Sequence, residues 1–247
     1  MNKFILVFVL SLLPVTSFAS GSDSPLDKAK NDITDQASLQ RGAKYFVNYC
    51  LSCHSASYMR YSRMAKDLGM SEDQVMANLM FAADKVGETM NVAMRKQDAR
   101  NWFGTSAPDL SVVARSRGTD WLYTYLRSFY IDESRPFGVN NTVFKDVAMP
   151  DVLWALQGLQ KPVYVKEKSH NSDEEHEVFK GFEIVQQGSM TKKEYDNTVR
   201  DLVNFIDYMG EPAQLQRKKV GPYVIIFLII FLIVSYRMKK AFWKDIH

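Results

Sequence analysis

Only two cysteines and four histidines occur among the 247 residues. No second cysteine pair exists, so a closed zinc site lacks the other half of its ligands. No β-branched strand precedes the cysteines, which removes the scaffold of a thioredoxin-like redox pair. Internal repeats and low-complexity tracts are absent, and so is any run that requires a sheet. The charges nearly balance, 31 Lys and Arg against 28 Asp and Glu, for a formal net charge of +3. That small excess lies largely beside one apolar run near the C-terminus and gives no argument for nucleic acid.

The two cysteines stand together in "NYCLSCHSAS", residues 48 to 57, with a histidine directly after the second. Random placement would produce such a string roughly once in several thousand chains of this composition. Cys50-x-x-Cys53-His54 supplies two thiols that can add across the vinyl groups of a haem and an adjacent imidazole that can reach its iron. A buried, reduced cysteine pair is the alternative. Upstream, Leu39, Ala43, Phe46 and Cys50 fall on one helical face, with Ser38 as the expected N-cap.

Covalent haem attachment implies an export compartment, and "MNKFILVFVLSLLPVTSFAS" matches one. Lys3 precedes an apolar stretch from Phe4 to about Leu13, and Ser17 and Ala19 predict cleavage after Ala19. That stretch is too short for a lasting anchor. Near the other end, Val220 to Tyr236 carries no charge. It is expected to span a bilayer, since its length of about 26 Å approaches a hydrocarbon core of about 30 Å. The predicted organisation is a signal peptide over 1–19, an exported haem domain over 20–219, a transmembrane helix over 220–236 and a cytoplasmic tail over 237–247. Basic residues flank the helix almost equally, so the signal peptide sets the orientation.

Within the domain helical patterns dominate. Ser71 and Gln74 form a capping box ahead of the stripe Val75, Met76, Leu79 and Met80. Leu122, Tyr125, Leu126 and Phe129 group together, as do Tyr195, Val199, Leu202, Ile206 and Met209. Segments 83–118 and 131–193 read as long loops around a large cofactor. The expected fold class is all-α: a class I cytochrome c-like helical haem domain with long loop insertions, plus one C-terminal transmembrane helix.

With His54 as one axial ligand, an electron-transfer haem needs a second, and methionine in that place raises the potential. His170 and His176 lie in "EKSHNSDEEHEVFK", which reads as a solvated loop. Met64, Met70, Met76 and Met80 read as core residues. Met149, beside the stiffening Pro150 in "FKDVAMPDVLW", is favoured, with Met94 as competitor.

CLSCH at 50–54, "APDLS" at 107–111, "ARSRGTDWLYTYL" at 114–126, "AMPDVLW" at 148–154 and "GEPAQLQRKKVGPYV" at 210–224 together resemble cytochrome c1. That family is the membrane-anchored c-type subunit of the bc1 complex, ubiquinol–cytochrome c oxidoreductase, and the signal peptide suggests a bacterial form. The resemblance covers nearly the whole mature chain. It implies one covalent haem c on Cys50 and Cys53, with His54 and Met149 as the iron ligands. It further implies that Pro108 presents its carbonyl to the His54 ring, that Leu110 packs on the haem and that Arg115 approaches a haem propionate. Trp121 stands where the family often has tyrosine.

The implied partners are a cytochrome b subunit, a Rieske iron–sulfur subunit, a soluble or membrane-bound cytochrome c acceptor, membrane lipid and a second copy of the complex. The implied location is the bacterial inner membrane, with the haem domain on the periplasmic side. Chemistry on quinol belongs to partner subunits, since the chain has no general base, nucleophile or metal cluster of its own. Two other readings remain: a free-standing membrane-anchored c-type shuttle, and a tethered haem enzyme with an open sixth position. The acidic cluster Asp173, Glu174, Glu175 and Glu177 reads either as a docking patch for a basic partner or as a solvated loop.

Overall fold

The computed structural model describes residues 25–168 and 175–244. The expected signal peptide at 1–19, His170 and the acidic residues Asp173 and Glu174 lie outside the described residues.

Two long helices organise the domain: α1 (Gln36–Tyr45) and α8 (Lys192–Gly210). The stripe Tyr195, Val199, Leu202, Ile206 and Met209 is buried along α8, as its spacing predicts. From α1 the predicted face Leu39, Ala43, Phe46 and Cys50 is buried as well. The helices cross closely at Gly42, where an added Cβ would meet the Asp201 carbonyl oxygen at 2.1 Å. Any side chain there must push the backbones apart. Phe46 and Phe205 pack ring to ring at 5.6 Å, and Arg41 grips Asp201 through Nε and Nη2 at 2.6 and 3.0 Å.

The N-cap of α1 is Asp35, which accepts from the Ser38 N–H at 3.0 Å. Ser38, expected in that role, lies inside the first turn. Its hydroxyl is buried and accepts from Asn204 Nδ2 at 2.9 Å. An aspartate caps as well as a serine does, so both positions suit a cap locally; contact with α8 separates them.

Shorter elements complete the shell: β1 (Ala56–Arg60), α2 (Tyr61–Asp67), α3 (Glu72–Asn78), β2 (Thr89–Met90), α4 (Lys96–Phe103), α5 (Val113–Arg117), α6 (Thr119–Leu126), β3 (Phe129–Ile131), β4 (Val139–Asn141) and α7 (Trp154–Gln157). The Ser71–Gln74 capping box is present at α3. Its stripe is only partly internal, with Val75 and Leu79 buried and Met76 exposed. Leu122, Tyr125, Leu126 and Phe129 are all buried, although Phe129 belongs to β3.

The all-α expectation is corrected by three two-stranded antiparallel sheets among the described residues, β1–β2, β3–β4 and β5–β6. The largest is a long hairpin of β5 (Gly158–Lys168) and β6 (Glu175–Gln187), where the sequence reads as loop. The segment 83–118 likewise carries β2, α4 and α5. The hairpin hides from a period-two reading for a physical reason. The register slips twice, leaving Val185 and Lys180 as extra residues on β6. Each bulge flips the side chains beyond it to the other face, so alternation never runs far enough to be seen. Gln160, buried on β5, anchors the hairpin by donating to the Arg127 and Phe129 carbonyls at 3.0 and 2.7 Å.

At the C-terminal end, α9 (Gln214–Phe242) is 29 residues long and among the described residues is the one helix apolar enough to cross a membrane. At 1.5 Å per residue it reaches about 43 Å, longer than a hydrocarbon core of about 30 Å. Both basic flanks are therefore helical extensions of the apolar stretch. Glu211 joins helix and domain, since its two carboxylate oxygens pair with Arg115 of α5 and Arg217 of α9.

Candidate cofactor site

The chain leaves α1 through one wide turn, Phe46–Cys50, in which the Leu51 N–H reaches back to the Phe46 carbonyl. That extra residue per turn continues the buried face to Cys50. The Cys50 carbonyl then accepts from Cys53 N–H at 3.1 Å and His54 N–H at 2.8 Å. Both thiols and the imidazole are thus presented by a single tight bend.

A second segment is pinned across this bend. The Asp109 carboxylate accepts from Ser57 N–H at 3.0 Å, Ser57 Oγ at 2.6 Å and Ser111 N–H at 2.7 Å. Leu110 N–H donates to the Ser55 carbonyl at 2.8 Å. Burial works against the Asp109 charge, yet the bonds from Ser111 and Ser57 hold its carboxyl below the usual range. The clamp sets Pro108 against His54, whose Nδ1 lies 2.7 Å from the Pro108 carbonyl oxygen. A carbonyl can only accept, so Nδ1 carries the proton and Nε2 keeps its lone pair free. Burial lowers the His54 pKa, opposed by the Pro108 bond and the Asp109 charge, which favours the neutral imidazole a metal requires.

These groups border a cavity of about 480 Å³ with predominantly apolar walls. Cys50, Cys53, His54, Pro108, Leu110 and Met149 all line it. Burial, and secondarily the neighbouring Cys53, push the Cys50 thiol up to about 12. Met94 lines the cavity too, so the competitor methionine is also brought to the site. One contact distinguishes the two: the Tyr125 hydroxyl donates to Met149 Sδ at 3.3 Å. Asp151, two residues beyond Met149, is pushed up to about 6 by burial, against a bond from the Leu153 N–H.

Arg115 does not line the cavity; Arg117 does. The two stand two positions apart on α5, with Ser116 between them, and such positions do not share a helical face. Arg115 turns to Glu211. Arg117 instead places its guanidinium 5.2 Å from the centre of the Trp121 ring, which is also in the cavity wall. The structure brings Arg117 rather than Arg115 of "ARSR" to the cavity wall, and the glutamate at 211 supplies a partner for the other arginine.

A large apolar cavity, two adjacent thiols and an imidazole with a free Nε2 suit a haem held by thioether bonds. Domain and site thus define a c-type cytochrome carried on one apolar helix. Comparison with known proteins is more specific. The model of the Cytochrome C1 family matches residues 28–246. A cytochrome c1 of Allochromatium vinosum is 50% identical over 247 residues, covering all of both chains. A protein of Nitrosomonas europaea named ammonia monooxygenase gamma subunit is 48% identical over 249 residues, covering 100% of this chain and 99% of its own. A Rhodospirillum rubrum cytochrome c1 is 25% identical over 245 residues, covering 86% of this chain and 83% of its own. The chain belongs to the cytochrome c1 family. It is an electron-transfer haem subunit of the bc1 complex, beside cytochrome b and the Rieske protein, and carries one covalently bound haem c.

Proposed function

We propose that this chain relays electrons from the Rieske protein to a c-type cytochrome at the periplasmic face of a bacterial inner membrane. Residues 20–219 face the periplasm after removal of 1–19, 220–236 span the bilayer among lipid, and 237–247 lie in the cytoplasm. Two copies of the complex pair in the membrane. The observation that carries the site assignment is the convergence of Cys50, Cys53, His54 and Met149 on one apolar cavity.

When bound, haem c supplies a one-electron couple. Cys50 and Cys53 would tether it, and His54 Nε2 and Met149 Sδ would hold its iron. The Pro108 carbonyl fixes the His54 ring and its tautomer. Leu110 supplies apolar wall, which excludes water and raises the potential. Arg117, which lines the cavity where Arg115 does not, would meet the acidic edge of the group. A free-standing shuttle would share every one of these residues. The link from α5 through Glu211 to α9 favours a subunit whose haem domain is held in one orientation to its anchor. In the intact membrane complex, cytochrome b and the Rieske protein are the expected copurifying subunits, rather than components of a monooxygenase.

Two measurements check this reading. Arg117→Ala should leave haem attached but lower the midpoint potential, because a cation near a propionate favours the reduced, less positive centre. Arg115→Ala should leave the potential near wild type. The reverse pattern would return the propionate contact to Arg115. For topology, a reporter fused after His247 should work only if it is active in the cytoplasm; activity of a periplasm-dependent reporter there would invert the orientation.

A further inference from the structure

The helix α4 borders the cofactor cavity at both of its ends. Met94, just before it, and Phe103, its last residue, line the cavity wall. Lys96, Arg100 and Phe103 follow one another at steps of four and three. The two cations therefore share a row with the cavity-lining ring. Both are exposed, and neither enters an ion pair among the described residues. Phe103 packs against Phe137 at 5.6 Å, which brings the connection between β3 and β4 to the same edge. On the segment after β4, Phe144 and Asp146 line the cavity, and Lys145 between them is exposed.

The carboxylates of this rim are already engaged. Asp98 accepts from Arg95 Nε and Nη2 at 2.6 and 3.1 Å. Asp146 pairs with Arg135 at 3.2 Å, and its backbone carbonyl accepts from the same guanidinium at 3.0 Å. Asp109 keeps its charge but is held in the clamp by Ser57 and Ser111. Arg117 is set aside for the acidic edge of the cofactor. Lys96, Arg100 and Lys145 are then three uncompensated cations against one uncompensated carboxylate, so the rim carries a positive field.

The β5–β6 hairpin gives no matching acidic surface. Glu175 and Glu177 on β6 stand opposite Lys168 and Lys166 on β5, and Lys180 pairs with Glu167. Opposite charges facing each other across a ladder stabilise it and leave little net field outside it. A basic partner would find its counter-charge neither at the described part of the hairpin nor at the cavity rim.

We infer that α4 and the 144–146 segment form the docking surface for the electron acceptor, and that this acceptor is an acidic protein with carboxylates around its own cofactor edge. This rests on the reading of the chain as a relay to a c-type cytochrome. A relay needs fast arrival and fast release. Complementary charge speeds the first without the large apolar contact that would slow the second.

The test uses the intact membrane complex, quinol and one small basic cytochrome c in two forms. One form is native; in the other, succinylation of surface lysines makes the same protein acidic. At low salt the succinylated form should be reduced about tenfold faster than the native form. The difference should shrink as the Debye length falls from about 30 Å at 0.01 M to about 8 Å at 0.15 M. Lys96→Glu/Arg100→Glu should reverse the order of the two forms. Reduction of this chain's own haem by quinol, followed in the absence of acceptor, should stay at the wild-type rate. Faster reduction of the native basic form by the wild-type complex, or equal rates without salt dependence, overturns the inference. So does a double variant that keeps the wild-type order. If that variant fails to accumulate, the salt dependence of the wild-type rates with the two forms decides by itself. A wild-type complex that reduces its own haem but passes electrons to neither form would remove the relay reading, and the inference with it.

Discussion

Met149→Lys is expected to keep haem covalently attached and to stop quinol oxidation in an assembled complex. Cys50, Cys53 and His54 are untouched by the change, and they lie on a bend fixed by its own backbone bonds. What changes is the sixth ligand. An amine is a harder, more basic donor than a thioether and stabilises ferric iron. The potential should therefore fall on the order of hundreds of millivolts, within the span available to axial ligation. Electron transfer from the Rieske protein then runs uphill. Haem staining after denaturing electrophoresis, redox titration and quinol–cytochrome c reductase activity would check the three parts separately. Met94→Leu, altering the other methionine of the cavity, should leave the potential near wild type. If that variant removes the near-infrared sulfur-to-iron band and Met149→Lys does not, the ligand is Met94.

Loss of both thioethers should be worse than loss of function. In Cys50→Ala/Cys53→Ala the chain cannot retain haem covalently, and its fold would have to close around a cavity of about 480 Å³. At about 24 cal/mol per Å³, an apolar hole of that size costs on the order of 10 kcal/mol if it stays dry. Water entering through the open side reduces that figure but gains little from apolar walls. Total stability of a domain is about 5–15 kcal/mol, so the two quantities are comparable. The double variant is expected to fall at least tenfold in membrane abundance, measured by immunoblot, and to lack a haem-stained band. Wild-type amounts of protease-resistant, haem-free chain would show that the domain does not need its cofactor to fold.

Several features of the molecule are local enough to be legible in the chain. Cys50, Cys53 and His54 belong to one bend, so their spacing alone is enough to propose what they attach. The α8 stripe repeats with the helical period, because one face of a long helix meets the core along its whole length. The uncharged run in α9 needs only composition and length to be read. In each case the residues that act together are neighbours along the chain or along one regular element, and one-dimensional order carries the physics.

Contacts between distant segments required the tertiary structure. Whether Asp35 or Ser38 caps α1 turns on Asn204, far along the chain on α8. Which arginine of "ARSR" lines the cavity turns on Glu211, which pairs with Arg115 at the entrance to the apolar helix. The β5–β6 hairpin is hidden by two bulges that break its alternation, and only the pairing of its strands reveals it. Met94 and Met149 both reach the cavity, so neither spacing nor burial separates them. A single hydroxyl from α6 contacts Met149 and not Met94. The chain by itself determined that a haem is carried, with Cys50 and Cys53 as its proposed attachment, and that an apolar helix follows the domain. Folding decided which far-off side chains meet it, because those choices depend on partners the sequence does not place side by side.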